Sequence, residues 1–141
     1  MPELNLSKMI RPRENELLRP KLENGDKRAY GTRYEEIAEK YLTDLGYRLI
    51  AKNVNFKFGE IDLIFEHEGS QGKELVFVEV RKKSGSGFIR AEESVTFPKQ
   101  RRIKTAIKLF LLKYEGNAKN LRIDLIAFQD EALRHYPNFI V

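Results

Sequence analysis

The sequence predicts an α/β domain, a mixed β-sheet of four to five strands flanked by helices, and three features carry that expectation. Two segments repeat apolar residues at three- and four-residue steps, the mark of amphipathic helices. Three strand-like apolar segments lie between them and one or two follow, giving the order αβββαβ(β). Strands separated by a helix commonly pair parallel and hairpin-linked strands pair antiparallel, so the sheet is expected to be mixed.

The first thirty or so residues are polar, carry Pro2, Pro12 and Pro20 and lack apolar periodicity. They read as a flexible basic N-terminal arm over residues 1–28, followed by a single domain over 29–141. From Gly31 onward Tyr34, Ile37, Ala38, Tyr41, Leu42 and Leu45 trace one helical face, and Gly46 supplies the stop. YRLIAKNVNF and EIDLIFE, joined by a turn at Lys57 to Gly59, read as a hairpin. The segment HEGSQGKE, with His67, reads as a glycine-rich turn, and the valine-rich ELVFVEVR as a strand buried on both faces. KKSGSGFIRAEES is a long basic loop. Beyond Pro98, the residues Ile103, Ala106, Ile107, Phe110, Leu111 and Tyr114 mark a second helix that Gly116 is expected to end. LRIDLIAF is a fourth strand, and the tail around Leu133 to Phe139 offers a short fifth before or after Pro137. His135 in that tail is expected at the surface, as is His67.

Composition narrows the chemistry. Hydrophobic residues make up 41% of the chain, enough for one core, and the mean hydropathy of −0.53 is that of a soluble globular protein. The longest apolar runs are four residues, far short of the ~20 a membrane helix needs. The start has no apolar stretch of the signal-peptide kind, so a cytoplasmic location without membrane association is expected. With no cysteine and two histidines, thiolate nucleophiles, zinc–thiolate centres and histidine cages are excluded. A bound metal would rest mainly on carboxylates, which favours Mg²⁺, Mn²⁺ or Ca²⁺. The net charge of +5 is compatible with nucleic acid without requiring it.

Ionisable residues interrupt two of the most apolar strands. Alternation places Glu60 and Asp62 on one face of GEIDLI, with Ile61 and Leu63 on the other, and Glu79 with Arg81 on one face of FVEVR. If those strands are neighbours, Asp62 and Glu79 converge closely enough to share a divalent cation. The plainer alternative is a solvated sheet face with cross-strand salt bridges worth ~0.2–1 kcal/mol each, and spacing alone leaves both open. Between Arg81 and Lys108 there are nine Lys or Arg against two acids, Glu92 and Glu93. Lys82, Lys83, Arg90, Lys99, Gln100, Arg101 and Arg102 are the candidate phosphate contacts of that stretch, with a merely solubilising helix face as the alternative.

The series Gly31, Glu35, Ala38, Tyr41, Leu42, then Asn53 and Asn55, GEIDLI, VFVEVR, KQRR and RIDLIAF resembles the YraN-like uncharacterised protein family, over about Gly31 to Phe128. That family is in turn similar to the PD-(D/E)xK nuclease superfamily, in particular to archaeal Holliday-junction resolvases. The resemblance implies a restriction endonuclease-like fold and a metal-dependent nuclease that hydrolyses phosphodiester bonds of structured or branched DNA with Mg²⁺ or Mn²⁺. It puts the metal-binding aspartate on Asp62, the acid of E-x-K on Glu79 and the helical acid on Glu35; Glu60, part of the family's GEIDL, is an outer ligand or supporting acid.

Arg81 stands where the wider superfamily has lysine. Arginine is always charged, so Arg81 can orient a phosphate or stabilise negative charge but not give up a proton. Lys82 faces the other side and is no substitute. By analogy with the resolvases a homodimer is expected. The alternative function is a non-catalytic nucleic-acid-binding protein that keeps the nuclease-like fold.

Overall fold

The computed structural model describes residues 3–5, 27–83, 90, 92–130 and 132–140. They form the strand β1 (Glu3–Asn5), helix α1 (Lys27–Asp44), strands β2 (Arg48–Phe56), β3 (Gly59–Gly69) and β4 (Gly72–Lys83), helix α2 (Phe97–Leu111), and strands β5 (Asn120–Gln129) and β6 (Ala132–Ile140). The strands make one mixed sheet in the order β1-β6-β5-β4-β3-β2. Only β4 and β5 pair parallel, joined by the crossover through α2. Five long strands flanked by two helices is an architecture consistent with a restriction endonuclease-like fold.

Both faces of the sheet are covered, and β4 shows why its sequence is so apolar. Val76 and Val78 join Ile37, Ala38, Tyr41 and Leu42 of α1 in one core, while Leu75 and Phe77 join Ile103, Ala106 and Ile107 of α2 in the other. Helix α1 stops where expected. Gly46 takes φ +95°, Gly46 N–H donates to the Thr43 carbonyl and Tyr47 N–H to that of Leu42, which satisfies carbonyls the helix would otherwise leave open. Helix α2 starts at Thr96, whose Oγ1 faces the Lys99 N–H at 3.4 Å, with Pro98 in the first turn, where no donor is lost.

Several boundaries differ from expectation. The arm expected over residues 1–28 contains a strand, Glu3–Asn5, paired antiparallel to β6, and α1 begins inside it at Lys27; residues 1–2 and 6–26 lie outside the described residues. The turn expected over HEGSQGKE shrinks to Ser70 and Gln71, because Gly69 pairs with Gly72 and lets both strands continue; His67 is therefore a strand residue opposite Glu74. Helix α2 ends at Leu111 rather than near Gly116, since Tyr114 turns aside to donate its hydroxyl to Glu66 Oε1 at 3.1 Å. Strand β6 runs through Pro137. The ladder to β5 shifts between Ile123↔Ile140 and Leu125↔Tyr136, so Pro137 occupies the irregular stretch where no ladder donor is needed.

That irregularity builds a buried polar centre, which corrects the expectation of a surface His135. His135 is 4% exposed and Asp124 1%. Asp124 accepts from Arg122 Nε at 2.8 Å and Nη2 at 2.9 Å, and from the Asn138 N–H at 2.9 Å; His135 Nε2 lies 2.7 Å from its Oδ2. Arg122 continues to Glu74 and to the Tyr47 hydroxyl, and His135 Nδ1 reaches Tyr41 Oη at 3.3 Å. A buried carboxylate so fully bonded tolerates the interior.

Candidate active site

The site begins where β3 and β4 part. Their antiparallel ladder runs from Gly69↔Gly72 to Leu63↔Val78, and there the pairing ends. The next donor on β4, Val80 N–H, is taken up by Asp62 Oδ2 at 2.8 Å. A side chain thus replaces a ladder acceptor, and the regular alternation of β3 breaks at this residue. Ile61 packs with the core under α2 but Leu63 with the core under α1, so the expectation that these two share a face is corrected.

The parted strands gather the acids singled out in the sequence. Glu79 is 3% exposed and close enough to Asp62 for the charge of Asp62 to raise its proton affinity. Glu35, on α1, lies close enough to Asp62 and to Asn53 of β2 for both to shift its proton affinity. Asn53 adopts φ +52°, a left-handed conformation that asparagine tolerates better than most residues and that is concentrated at functional sites. Glu60 is exposed at the outer end of β3, opposite Asn55, close enough to act on Glu35 and Asp62 by charge. Among the described residues, no three Asp, Glu or His side chains close on one point as a ready-made metal cage.

Two cations flank Glu79. Lys99 Nζ of α2 lies 3.2 Å from its Oε1 and Arg81 Nη1 lies 3.8 Å from the same atom. Arg81 is further tied by its Nε to Ser94 Oγ at 2.8 Å. Lysine therefore provides the nearer charge, arriving from a helix rather than from the E-x-K strand position. Lys82 points away, its Nζ 4.8 Å from the Tyr34 ring, as alternation requires.

Electrostatics separates these acids from the other buried ones. Glu66 and Asp124 are also withdrawn from water, yet both are held below the usual carboxylate range: Arg48, Tyr114 and Lys73 offset the cost of burial at Glu66, and His135, Arg122 and the Asn138 N–H do so at Asp124. At Asp62 and Glu79 burial wins. It pushes Glu79 up with the repulsion of Asp62 added, against Lys99 and Arg81; it pushes Asp62 up against the Val80 N–H, Glu79 and Lys99. Glu35 is raised to about 7, first by burial and then by the charges of Asp62 and Glu60. Crowded carboxylates of this kind take up protons or a cation.

The sign of the effect on stability follows. From its ordinary value of 4.5 up to about 7, folded Glu35 keeps a proton that the unfolded chain has released, so its contribution to stability falls as pH rises through that window. Glu35→Gln is expected to stabilise the fold at pH 8 and to change little near pH 4.5. Urea denaturation at the two pH values checks this, and an equal shift at both would contradict it.

The basic stretch divides. Arg101 and Arg102 are exposed on α2 and line a cleft of about 790 Å³ with Lys57, Lys99 and Glu60. Gln100 turns inward, Nε2 donating to the Val95 carbonyl at 3.1 Å, and so braces the entry to α2. Arg90 lies 3.8 Å from Glu92, and Lys83 is exposed at the end of β4; residues 84–89 and 91 of the basic loop lie outside the described residues. Ser94 carries no signal in the sequence; only the fold brings it to Arg81. Asn53 was named in the family motif, but its contact with Glu35 depends on a backbone conformation that composition does not reveal.

Residues 34–128 match the family described as Uncharacterised protein family UPF0102. The chain belongs to this family. A UPF0102 protein of Persephonella marina is 36% identical over 108 residues, covering 77% of this chain and 90% of the relative. A UPF0102 protein of Haemophilus influenzae (strain Rd) is 39% identical over 118 residues, 81% of this chain and 96% of the relative. A third, from Nocardia farcinica, is 36% identical over 103 residues, 73% and 78%. The UPF0102 span includes Glu35, Asn53, Glu60, Asp62, Glu79, Arg81, Ser94 and Lys99, so every residue that builds the site lies within the family domain. Among the described residues, no helix of this UPF0102 protein is long and apolar enough to cross a membrane.

Proposed function

We propose that the protein is a metal-dependent nuclease acting on phosphodiester bonds of structured or branched DNA. The observation that carries this reading is the convergence of Asp62, Glu79 and Glu35, all raised in proton affinity, beside Lys99 and at the edge of a basic cleft. Two neighbouring buried carboxylates without a third ligand suit Mg²⁺ or Mn²⁺, which are commonly held by one or two carboxylates while water and substrate phosphate complete the shell. Asp62 and Glu79 would hold the cation; Glu60 is too exposed to be more than an outer partner. A divalent cation bound there supplies Lewis-acid polarisation of the phosphate and lowers the pKa of water.

The chain's own residues supply the rest. Lys99 sets a positive charge beside Glu79 where phosphate charge develops, and a fixed cation in a partly dry site counts for more there than in water. Arg81, tied to Ser94, orients a phosphate oxygen without exchanging protons. Glu35, titrating near 7, is matched to accept a proton at physiological pH.

The test is incubation of the purified chain with end-labelled branched, single-stranded and duplex DNA in Mn²⁺ or in EDTA. Cleavage in Mn²⁺ and not in EDTA is expected, with branched DNA cut in preference to duplex. Binding equal in both buffers and no cleavage would replace this reading with a non-catalytic nucleic-acid-binding protein. The favouring observation for that second reading is the absence of a closed three-ligand cage among the described residues.

A further inference from the structure

The two-residue turn between β2 and β3, Lys57 and Phe58, has an unusual composition for its position. Such turns favour Gly, Asn and Asp, and Phe58 here is 63% exposed. The turn forms one wall of the cleft whose other wall is the first half of α2. It is also firmly seated: a Cβ at Gly59 would fall 2.2 Å from the Arg102 carbonyl oxygen, so the backbones of turn and helix meet directly and only glycine fits. The Phe58 ring is thus held on a rigid support rather than on a loose tip.

Charge defines what such a ring can receive. Lys57 Nζ stands 5.3 Å from the centre of the Phe58 ring, and Arg101 and Arg102 face the same space from α2. Among the described residues, none of these three side chains is spent on an ion pair. At the inner end the cleft is lined by Lys99, the residue that reaches Glu79, and by Glu60, the neighbour of Asp62. Cations track a phosphodiester backbone and an exposed aromatic face stacks a base, the combination by which single strands are held. Bases inside a duplex have both faces covered, so the ring engages an unpaired base without the cost of unstacking a step.

We propose that this cleft seats an unpaired strand, with a base stacked on Phe58 and its flanking phosphates on Lys57, Arg101 and Arg102, leading into the carboxylate site. The inference rests on the nuclease reading for the direction of the strand and narrows the substrate class to nucleic acid with an unpaired segment next to the scissile phosphate.

The experiment measures binding in EDTA, apart from any cleavage, by anisotropy of a fluorescein-labelled oligothymidylate and of a blunt duplex of equal length. Phe58→Ala is expected to weaken the single strand by about 5- to 150-fold, the effect of removing one stacking partner, and to leave the duplex within twofold. Arg101→Ala should weaken both and lower the salt dependence, because it removes a phosphate contact. The chain has no tryptophan, so the indole introduced by Phe58→Trp is a unique reporter; its fluorescence should be quenched by oligothymidylate and not by duplex. Unchanged single-strand affinity in Phe58→Ala, equal losses on both probes, or an unquenched indole would overturn the proposal. Wild-type cleavage in Mn²⁺ is scored separately: cleavage with a silent Phe58→Ala rejects the strand seat alone, and a discriminating Phe58→Ala without cleavage rejects the nuclease alone.

Discussion

Asp62→Asn is expected to reduce Mn²⁺-dependent DNA cleavage by more than the roughly 100-fold that loss of an outer partner of a metal ligand can cost, while leaving the fold intact. The substitution is chosen for what it keeps. The Asn carbonyl oxygen can still accept the Val80 N–H now bonded to Asp62 Oδ2 at 2.8 Å, so the end of the β3–β4 ladder stays closed. What it removes is a negative charge among Glu35, Glu60 and Glu79, whose mutual repulsion is a cost to the folded state in the absence of a cation. The variant should therefore unfold at the same or a higher urea concentration than wild type at pH 8. Initial rates on labelled branched DNA, measured alongside urea denaturation, check both halves. Cleavage within tenfold of wild type would show that Asp62 is not a metal ligand; lost cleavage together with lost stability would mark it as a structural acid.

The second large effect is on stability. Asp124→Ala is expected to cost about 3–5 kcal/mol, the usual consequence of removing one partner from a buried charged pair. Against a typical total of ~5–15 kcal/mol for a domain, that brings the protein close to unfolding at room temperature. The reason is what remains: the Arg122 guanidinium, the His135 ring and the Asn138 N–H all lose their acceptor at a site 1% exposed. The pH dependence runs opposite to that of Glu35. Asp124 is held below its ordinary 3.8, so its contribution is fully present above that value and is lost as pH falls through the lower folded value. Urea denaturation at pH 7 measures the loss, and a cost under about 1 kcal/mol would mean that water replaces the carboxylate.

The contrast between these two centres explains what could be read in advance. Local pattern carried the helices, the hairpin and the doubly buried β4, because apolar periodicity there reports directly on which faces are covered. Asp62 and Glu79 stand out as charges inside apolar strands, but spacing alone left a solvated sheet face open and only the family motif singled them out. What escaped depends on contacts between segments distant in the chain. The break in alternation at Asp62 arises from a hydrogen bond to β4, 18 residues away. The burial of His135 depends on a register shift that β6 makes against β5. Lys99 reaches Glu79 more closely than Arg81 does only because α2 crosses back over the sheet. A motif names the strand position beside an acid; it does not say which element delivers the nearest charge.

The outer strand β2 bears on how copies of this chain can meet. Its ladder to β3 skips a residue between Leu49 and Ala51, Asn53 departs from extended backbone, and Arg48 and Lys52 project charge from the strand. Such features kink and electrify the outermost described strand, which opposes a second sheet zipping onto it in register. Among the described residues this margin carries the irregularity and charge that oppose the runaway stacking flat, uncharged borders invite.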